Sequence, residues 1–512
     1  MDGVEQIKDD VREGRIDPQR LVDLIATLQR ELQASKRGLD ATQRELEAAK
    51  QRIEDLEKKL GGAATKKIDE PFSMRAEEKR QEARGKKRRD KRPRGRRGRV
   101  TTAEKIKQAE RTESVFPEGV DKSNCTLSHT RPVWRLENGR AVLVAYEVYR
   151  GPNNQYGKIP GALGRSEFGI EIILEVAYLI FIVGLSFDKA CLLLNFFQNL
   201  RLRKSQVDAL LSQLSRQWEG EFERLCTLLA NSAVVHTDET SWSIKSVWAF
   251  LSEKARVLFF GVNKDAATLQ TILDPATFLG IVISDDAAVY ADFTNSQKCW
   301  AHLLRKAIKL TLVDPANTDY REFTDRLLEI YRTACRVQRD GRLGDEGREQ
   351  KVAELDDAIL DLCGPVWSAE LPKLAGAEDD YRLLCNELMR LMLNQQLFTF
   401  VTAPAVETPR GVEQPVSGTN NEAERTLRPP AGCRDTGRTN KAPSGTRRQS
   451  IIVSVFESLR NFIERLTLQN VIDEVNRWTK TGQSCFAELV DKLGLRLPDE
   501  PILKRVFPHP SG

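Results

Sequence analysis

The segment between residues 233 and 286 alternates apolar, β-rich runs with turns in an order that few folds share. The first run, 233–235, leads into Asp238, and the last, 280–284, ends at Asp285 and Asp286. Between them lie two more β-rich runs and one helix-like stretch, at 247–251, 257–262 and 264–273. Runs of β-branched and aromatic residues bounded by charged turns are typical of strands. We therefore expect strand, strand, strand, helix and strand in succession.

That succession is the opening order of an RNase H-like fold, which is an α/β fold with a mixed sheet. In this order the first strand is central and the fourth is its neighbour, so Asp238 and Asp285 would end adjacent strands. Adjacent strands lie about 4.8 Å apart, so two such carboxylates can share a cation. Taken alone, an aspartate after an apolar run is more often a turn residue.

A third carboxylate, Glu424, lies in a basic, helix-like segment. Helical spacing places Asn420 and Arg428 on its face, with Asn421 and Arg425 beside them. In-line transfer of a phosphodiester needs charge neutralisation on the attacking and leaving oxygens, which two divalent ions about 3.5 to 4 Å apart provide. Mg²⁺ prefers hard oxygen ligands and keeps several waters. The order Asp, Asp, Glu therefore indicates a two-metal site built from three carboxylates.

Composition divides the chain into unlike parts. Its 512 residues and 40% apolar content suffice for two or three domains with at least one sizeable core. The formal charge of +5 hides the basic segment 75–99, with 14 Lys or Arg against four acids. That segment can bury no core and suits DNA phosphates without base selectivity, although a solubilising linker is the alternative.

Two further stretches concern the cellular location of the protein. Residues 1–14 lack the apolar core of a secretory signal. The most apolar run, 168–187, contains Glu171 and Glu175, so a buried helix is expected in preference to a membrane span. We therefore expect a cytoplasmic protein associated with the nucleoid, and no membrane partner.

The N-terminal region, 1–62, carries an apolar residue at every seventh position. A heptad period keeps one seam of a helix facing a partner helix. We expect a parallel two-stranded coiled coil that makes the chain a homodimer through residues 21–60; a long solvated helix is the alternative. The heptad positions are Ile25, Leu32, Leu39, Leu46, Ile53 and Leu60.

The cysteines favour reduced thiols over a disulfide framework or a zinc ribbon, because the nine are scattered with no CxxC pair. A basic disordered linker, 63–100, is expected to lead into a mixed linker region, 101–165. There Cys125 and His129 lie four residues apart, but they have no second ligand pair nearby, and a structural zinc site needs four ligands. In the mixed region the pattern predicts one strand, at 141–149.

Residues 166–232 have a helical pattern throughout. Within them, 188–197 and 205–218 form two amphipathic helices around the polar turn 198–204. A short helix pair whose second helix opens beside basic residues resembles a helix-turn-helix, and plain helix packing is the alternative. The basic residues at the turn are Arg201, Arg203 and Lys204.

The catalytic region is expected in two parts, 233–302 and 406–470. Between them, 303–405 has apolar residues at helical spacing and forms a helical insertion that could shield the site or only stabilise it. After the third carboxylate we expect a glycine-containing basic loop that clamps a DNA backbone, then a helix at 451–466 and a tail at 471–512. The basic residues of that loop are Arg434, Arg438, Lys441, Arg447 and Arg448.

A wider set of residues surrounds the three acids: Asp238, Glu239, Thr240 and Trp242; Asp285 and Tyr290; Cys299, Trp300, Ala301, His302, Arg305 and Lys306; and Asn420, Asn421, Glu424, Arg425 and Arg428. This set resembles the DDE transposases of the insertion sequence sixty-six family, over about 166–460. The resemblance selects Asp285 over Asp286. It also selects Glu424 over Glu422, because relatives tend to carry a basic residue at that position. One departure is the family's cysteine-rich zinc-binding segment, of which one cysteine and one histidine remain.

The resemblance implies a metal-dependent DNA transposase that nicks transposon ends and joins them to target DNA. It implies two Mg²⁺ ions, replaceable by Mn²⁺, bridged by Asp238 and held singly by Asp285 and Glu424. The expected partners are double-stranded DNA and accessory transposition proteins. The alternatives are a catalytically inactive, transposase-derived DNA-binding protein and a host nuclease.

Other side chains are candidates for contact with DNA or with the reacting groups. His302 could orient a phosphate or a metal-bound water, although a packed histidine is the alternative, and Tyr290 is expected to be a packing residue. The candidates for DNA contact are Arg305, Lys306, Asn420, Asn421, Arg425, Arg428, Arg434, Arg438, Lys441, Arg447 and Arg448.

Overall fold

The structure is a computed structural model that describes residues 100–367, 376–440 and 442–507. The predicted coiled coil at 1–62 and the basic segment at 75–99 lie outside the described residues. Within the described part the chain is a mixed α/β protein with two larger sheets and many helices. No helix in this part combines the length and the apolar character that a bilayer crossing demands.

A three-stranded sheet opens the described chain. The short helix α1, Thr102–Lys107, precedes β1, Arg111–Val115, then β2, Thr126–Glu137, and β3, Arg140–Arg150. The strand predicted at 141–149 is confirmed as β3, which lies in the centre, parallel to β1 and antiparallel to β2. The sequence pattern does not predict β1 and β2, because their charged residues interrupt the apolar alternation. The region expected to be a linker is therefore a folded sheet.

Four helices follow, in the region where a helical pattern is predicted. The first, α2, Ile170–Ala177, runs into a π-helical turn, Tyr178–Ile182. The others are α3, Phe187–Gln198, α4, Lys204–Gln217, and α5, Glu219–Ala230. α3 and α4 match the predicted helix pair to within one residue at each end, and Asn199, at a φ of 55°, ends α3 in the left-handed conformation.

A five-stranded sheet comes next, and its strand order determines where the candidate site forms. Its elements are β4, Val234–Ser241, β5, Ser246–Ser252, β6, Arg256–Val262, α6, Ala266–Ile272, β7, Ile281–Ser284, and β8, Ser296–Lys298. The order across the sheet is β6-β5-β4-β7-β8. The pairs β4–β5 and β5–β6 are antiparallel, whereas β4–β7 and β7–β8 are parallel. The predicted succession, with the first strand central and the fourth beside it, is confirmed.

Five helices and a short ribbon separate this sheet from the third carboxylate. They are α7, Trp300–Val313, α8, Thr318–Arg339, α9, Asp345–Cys363, α10, Ala377–Leu393, α11, Thr399–Thr402, β9, Val406–Glu407, and β10, Glu413–Gln414. Their mainly aliphatic core includes an aromatic cluster: the Trp300 ring stacks on Tyr331 at 5.2 Å between centroids and lies 5.5 Å from the Phe398 ring. The mainly helical character predicted for 303–405 is confirmed.

The chain then returns to the sheet through a run of helices. They are α12, Asn421–Asp435, α13, Pro443–Phe462, α14, Leu468–Thr481, α15, Cys485–Lys492, and α16, Ile502–Val506. Two predictions are wrong here. The helix predicted at 451–466 begins at Pro443, where proline suits a first helical turn. The predicted basic loop is much shorter, because Arg434 lies on α12 and Arg447 and Arg448 lie on α13.

Three fully buried serines of α13 close the β6 edge of the sheet. Ser450, Ser454 and Ser458 recur every four residues, so their hydroxyls line one side of the helix. They accept hydrogen bonds, each of 2.9 Å, from the backbone N–H groups of Phe260, Leu258 and Arg256 respectively. The backbone N–H groups that β6 directs away from the sheet thus have serine hydroxyls as hydrogen-bond acceptors, in place of a further strand.

Gly261 permits this close approach of α13 to β6. Its φ is +76°, and a Cβ at this position would lie 2.8 Å from the Thr446 hydroxyl oxygen on α13. A side chain here would both strain the backbone and push the helix away from the strand.

The opposite edge, β8, is covered by the helical insertion. The Gln297 side-chain amide donates to the Leu397 carbonyl at 2.9 Å and accepts the Phe400 N–H at 3.0 Å. The Lys298 backbone N–H donates to the Gln396 carbonyl at 2.8 Å. Both edges of the five-stranded sheet are therefore occupied.

We expect Ser454→Ala to destabilise the β6 edge, because it leaves the buried N–H of Leu258 without an acceptor. The cost of one such group is about 1–3 kcal/mol. Hydrogen exchange followed by mass spectrometry should show faster exchange in peptides covering β6, and the apparent Tm should fall.

Ser205→Ala is the matched control, since Ser205 lies exposed on α4. Exposed substitutions of this kind change stability by less than about 0.5 kcal/mol. Unchanged exchange in β6 of the Ser454 variant would show that the serine ladder does not hold this edge.

Candidate active site

The register of two parallel strands brings Asp238 and Asp285 to the same edge of the sheet. His236 of β4 pairs with Ile283 of β7, and extending that register by two residues sets Asp238 opposite Asp285. Alternation puts both side chains on the sheet face where Ile283 packs among the helices of the insertion. The two aspartates that the sequence analysis singles out are therefore neighbours.

Hydrogen bonds from Asn420 fix the start of α12, the helix that carries Glu424, against β4. Asn420, the residue before the helix, is fully buried, and its side-chain amide donates to the Thr237 carbonyl of β4 at 2.8 Å. Its backbone N–H donates to the Cys299 sulfur at 3.1 Å. Glu424 lies one turn further along α12. Asn420 was expected to contact DNA, and that expectation is wrong, because the residue has no exposed surface.

The charges of both other carboxylates, Asp285 and Glu424, act on Asp238. The pKa of Asp238 is raised to about 7, chiefly by burial; the backbone N–H of Glu239 lowers it, and the charges of Glu239, Asp285 and Glu424 raise it. Like charges raise a carboxyl pKa only when they lie close enough to repel its ionised form. A divalent cation among these oxygens would relieve that repulsion, so the donor set fits a hard metal ion.

Glu424 is paired with a cation from α7. The Arg305 guanidinium lies 2.5 Å from a Glu424 carboxylate oxygen, and His302 Nε2 lies 3.6 Å from the same oxygen. Burial and the charge of Arg305 lower the pKa of His302. Arg305 was expected to contact DNA; in this structure its guanidinium partner is the third carboxylate.

A buried lysine, which the sequence analysis does not identify, donates a hydrogen bond to the backbone of Asp285. Lys298 of β8 is 4% exposed, and its ammonium donates to the Ser284 hydroxyl at 3.3 Å and to the Asp285 carbonyl at 3.4 Å. Burial lowers the pKa of Lys298. The carboxylate of the next residue, Asp286, pairs with Arg390 of α10. The residues before Lys298 in the sequence, 294–297, are all polar, so no local pattern indicates that it is buried.

Glu239 faces the opposite side of β4 from Asp238. Its carboxylate accepts a hydrogen bond from the Tyr290 hydroxyl and pairs with the Lys264 ammonium at 2.6 Å. Tyr290 is 1% exposed, in agreement with the packing role expected for it.

Glu422 and Glu424 lie on different sides of α12, because two residues are about 200° apart around a helix. The Glu422 carboxylate pairs with Arg256 of β6 at 2.5 Å, and the charge of Arg256 lowers its pKa despite burial. Glu422 therefore belongs to a contact between α12 and β6.

The basic residues expected to contact DNA divide into exposed and engaged groups. Asn421, Arg425 and Arg428 are exposed on the helix that carries Glu424. Several others bond within the protein. Lys306 pairs with Glu387, Arg434 with Asp435, Arg447 with Glu219 and Arg448 with Asp208, and Arg438 donates to the Gly184 carbonyl. Lys441 lies outside the described residues.

Cys125 and His129 do not join a metal-binding cluster. Among residues 100–367, 376–440 and 442–507, one group of at least three His, Cys, Asp or Glu side chains has ligand atoms within 4.8 Å of one another, and it is Cys299, His302 and Glu424. The Cys125 thiol donates to the Asp121 carbonyl instead.

A known protein family matches the chain. The family model described as the transposase IS66 family matches residues 165–448, which is more than half of the chain. No curated protein sequence matches the chain.

Asp238 should make the stability of the metal-free protein depend on pH. Its folded pKa of about 7 lies above its ordinary value of 3.8, so the folded state holds the proton more tightly than the unfolded chain. The resulting stabilisation is complete below about pH 4 and is lost as the pH rises through about 7. Asp238→Asn cannot ionise and should stabilise the metal-free protein at about pH 8, by up to about 4 kcal/mol.

Thermal denaturation with a chelator present, from about pH 4 to 8, measures this effect. Asp499→Asn, at an exposed position, should leave the pH profile of the wild-type chain unchanged. The same profile in the Asp238 variant would contradict the raised pKa.

Proposed function

The chain belongs to the transposase IS66 family, and we propose that it nicks transposon ends and transfers them into target DNA with Asp238, Asp285 and Glu424. The observation that supports this proposal is that the charges of Asp285 and Glu424 act on Asp238, whose strand β4 lies beside β7. Acids that act on one another at half-buried positions repel each other when ionised, and a bound cation would offset that repulsion.

The sheet supports an RNase H-like catalytic core. Its order β6-β5-β4-β7-β8, with three antiparallel strands followed by two parallel ones, agrees with the strand order of that fold. The helices α7 to α11 would then be an insertion between the second and third carboxylates.

The three carboxylates would hold two divalent ions, with Asp238 between them. Mg²⁺ fits a set of carboxylate oxygens, and Mn²⁺ is expected to substitute. When bound, the ions would neutralise charge on the attacking and leaving oxygens of the phosphodiester. Lys298 would keep Asp285 in place through its backbone carbonyl, and Asn420 would keep Glu424 in place by fixing the start of α12.

DNA would lie along α12 and the helix pair α3–α4. The exposed Asn421, Arg425 and Arg428 are available for phosphates beside the carboxylates. The basic segment 75–99 would add sequence-independent affinity, and residues 21–60 would pair two copies for synapsis.

The decisive experiment is a nicking and strand-transfer assay with the inverted repeats that flank the gene. Asp238→Ala, Asp285→Asn and Glu424→Gln should each lower Mg²⁺-dependent nicking at least about a thousandfold, since each removes a metal ligand. Asp286→Asn and Glu422→Gln are matched controls that change neighbouring acids paired with Arg390 and Arg256. They should retain most of the nicking rate.

The assay also separates the alternatives. Tight DNA binding without cleavage in Mg²⁺ or Mn²⁺ would indicate an inactive, transposase-derived DNA-binding protein. Cleavage without joining of a 3′ end to a second duplex would indicate a nuclease. Normal nicking by Asp238→Ala would remove the assignment of the site.

Arg305→Gln should affect metal binding and catalysis in opposite directions. Arg305 neutralises Glu424 in the structure, so an incoming ion must displace it. Its removal should tighten Mg²⁺ binding about two- to fivefold, the range of a partly exposed ion pair, while nicking falls because a phosphate contact is lost. Isothermal titration calorimetry and the nicking assay report the two effects.

Lys306→Gln is the matched control for metal affinity. Lys306 lies beside Arg305 on α7 but pairs with Glu387, so its loss should leave Mg²⁺ binding unchanged. Weaker Mg²⁺ binding in the Arg305 variant would argue against competition for Glu424.

A further inference from the structure

Beside the three carboxylates lies a group of mixed chemistry. Ligand atoms of Cys299, His302 and Glu424 all lie within 4.8 Å of one another. Both Cys299 and His302 belong to the start of α7, so a single helical turn presents them to α12. The proposed function uses Glu424 and gives no ligand role to the other two side chains.

His302 has the geometry of a second ligand for the ion held by Glu424. The 3.6 Å between its Nε2 and the Glu424 oxygen is long for a hydrogen bond. Two ligands of one ion, each about 2.1 Å from it, lie about 3 to 3.5 Å apart. The other ring nitrogen, Nδ1, is buried without a hydrogen-bond partner among the described residues. The imidazole is therefore not committed to a hydrogen bond that would hold it away from a metal.

Cys299 has a different task. Its sulfur is buried and accepts the Asn420 N–H at 3.1 Å, so it helps to hold the residue that begins α12. A thiol occupied in this way positions Glu424 indirectly. Cys299 is therefore not one of the proposed metal ligands.

We propose that His302 supplies a nitrogen ligand to the divalent ion that Glu424 holds. This inference rests on the proposed function and extends it to metal selectivity. Both ions suit oxygen ligands, but Mn²⁺, a transition metal, accepts an imidazole nitrogen more readily than Mg²⁺, which demands hard oxygen ligands. The site would thus bind Mn²⁺ more tightly than an all-carboxylate site. The preference for Mn²⁺ would arise at the ion that Glu424 holds.

Electron paramagnetic resonance of Mn²⁺ bound to the full chain tests this proposal directly. The wild-type protein should show hyperfine coupling to an imidazole nitrogen. His302→Gln should lose that coupling, and its Mn²⁺ affinity should fall about tenfold or more, with a smaller loss for Mg²⁺. Calorimetric titrations with each ion give the affinities, and circular dichroism checks that the variant is folded.

His236→Gln is the matched control, because His236 is another half-buried imidazole close to the site, and its Nδ1 is likewise buried without a hydrogen-bond partner among the described residues. It lies on β4 among Glu422, Asn420 and Arg256, away from the Glu424 carboxylate. This variant should keep the nitrogen coupling.

The outcomes separate this proposal from the proposed function. A wild-type chain that binds Mn²⁺ and nicks DNA without nitrogen coupling would overturn the role of His302 alone. Coupling that persists in His302→Gln would overturn it as well. A wild-type chain that binds no Mn²⁺ would overturn both.

Discussion

One hydrogen bond, from the Asn420 side chain to the Thr237 carbonyl, determines how the two halves of the candidate site meet. The partners are 183 residues apart in the sequence, with the whole helical insertion between them. Asn420 lies immediately before α12, and Thr237 immediately before Asp238. The bond therefore ties the third carboxylate to the strand of the first, whatever the insertion does. Because both groups are fully buried, losing either would leave an unpaired polar atom in the core.

The surroundings of the carboxylates balance their charge in different ways. Glu239 is satisfied by Tyr290 and Lys264, and Glu424 by Arg305. Among the described residues Asp238 has no salt-bridge partner, and the energetic cost of ionising it appears as its raised pKa. The three acids repel one another most when all are ionised. Under the proposed function this is the state that would bind a metal ion, so proton release from Asp238 and ion binding would be coupled.

The sequence predicts those parts of the fold that depend on local pattern. β4 to β7 are recognisable because apolar runs end at charged turns, and α3 and α4 because their apolar residues follow helical spacing. Long-range polar contacts are not recognisable in this way. Arg447 and Arg448 look like DNA ligands in a basic stretch, but their acidic partners lie 228 and 240 residues away. Asn420 has the polar character of an exposed helix face, and only the packing of α12 on β4 shows that it is buried.

The closed edges of the five-stranded sheet limit how copies of this chain can associate. On one side the serine hydroxyls of α13 occupy the outward N–H groups of β6, and on the other the insertion covers β8. An extended segment of another molecule therefore finds no unpaired edge on this sheet, and growth of the five-stranded sheet into a larger aggregate is blocked at both ends. Copies of this chain therefore cannot associate by extending this sheet.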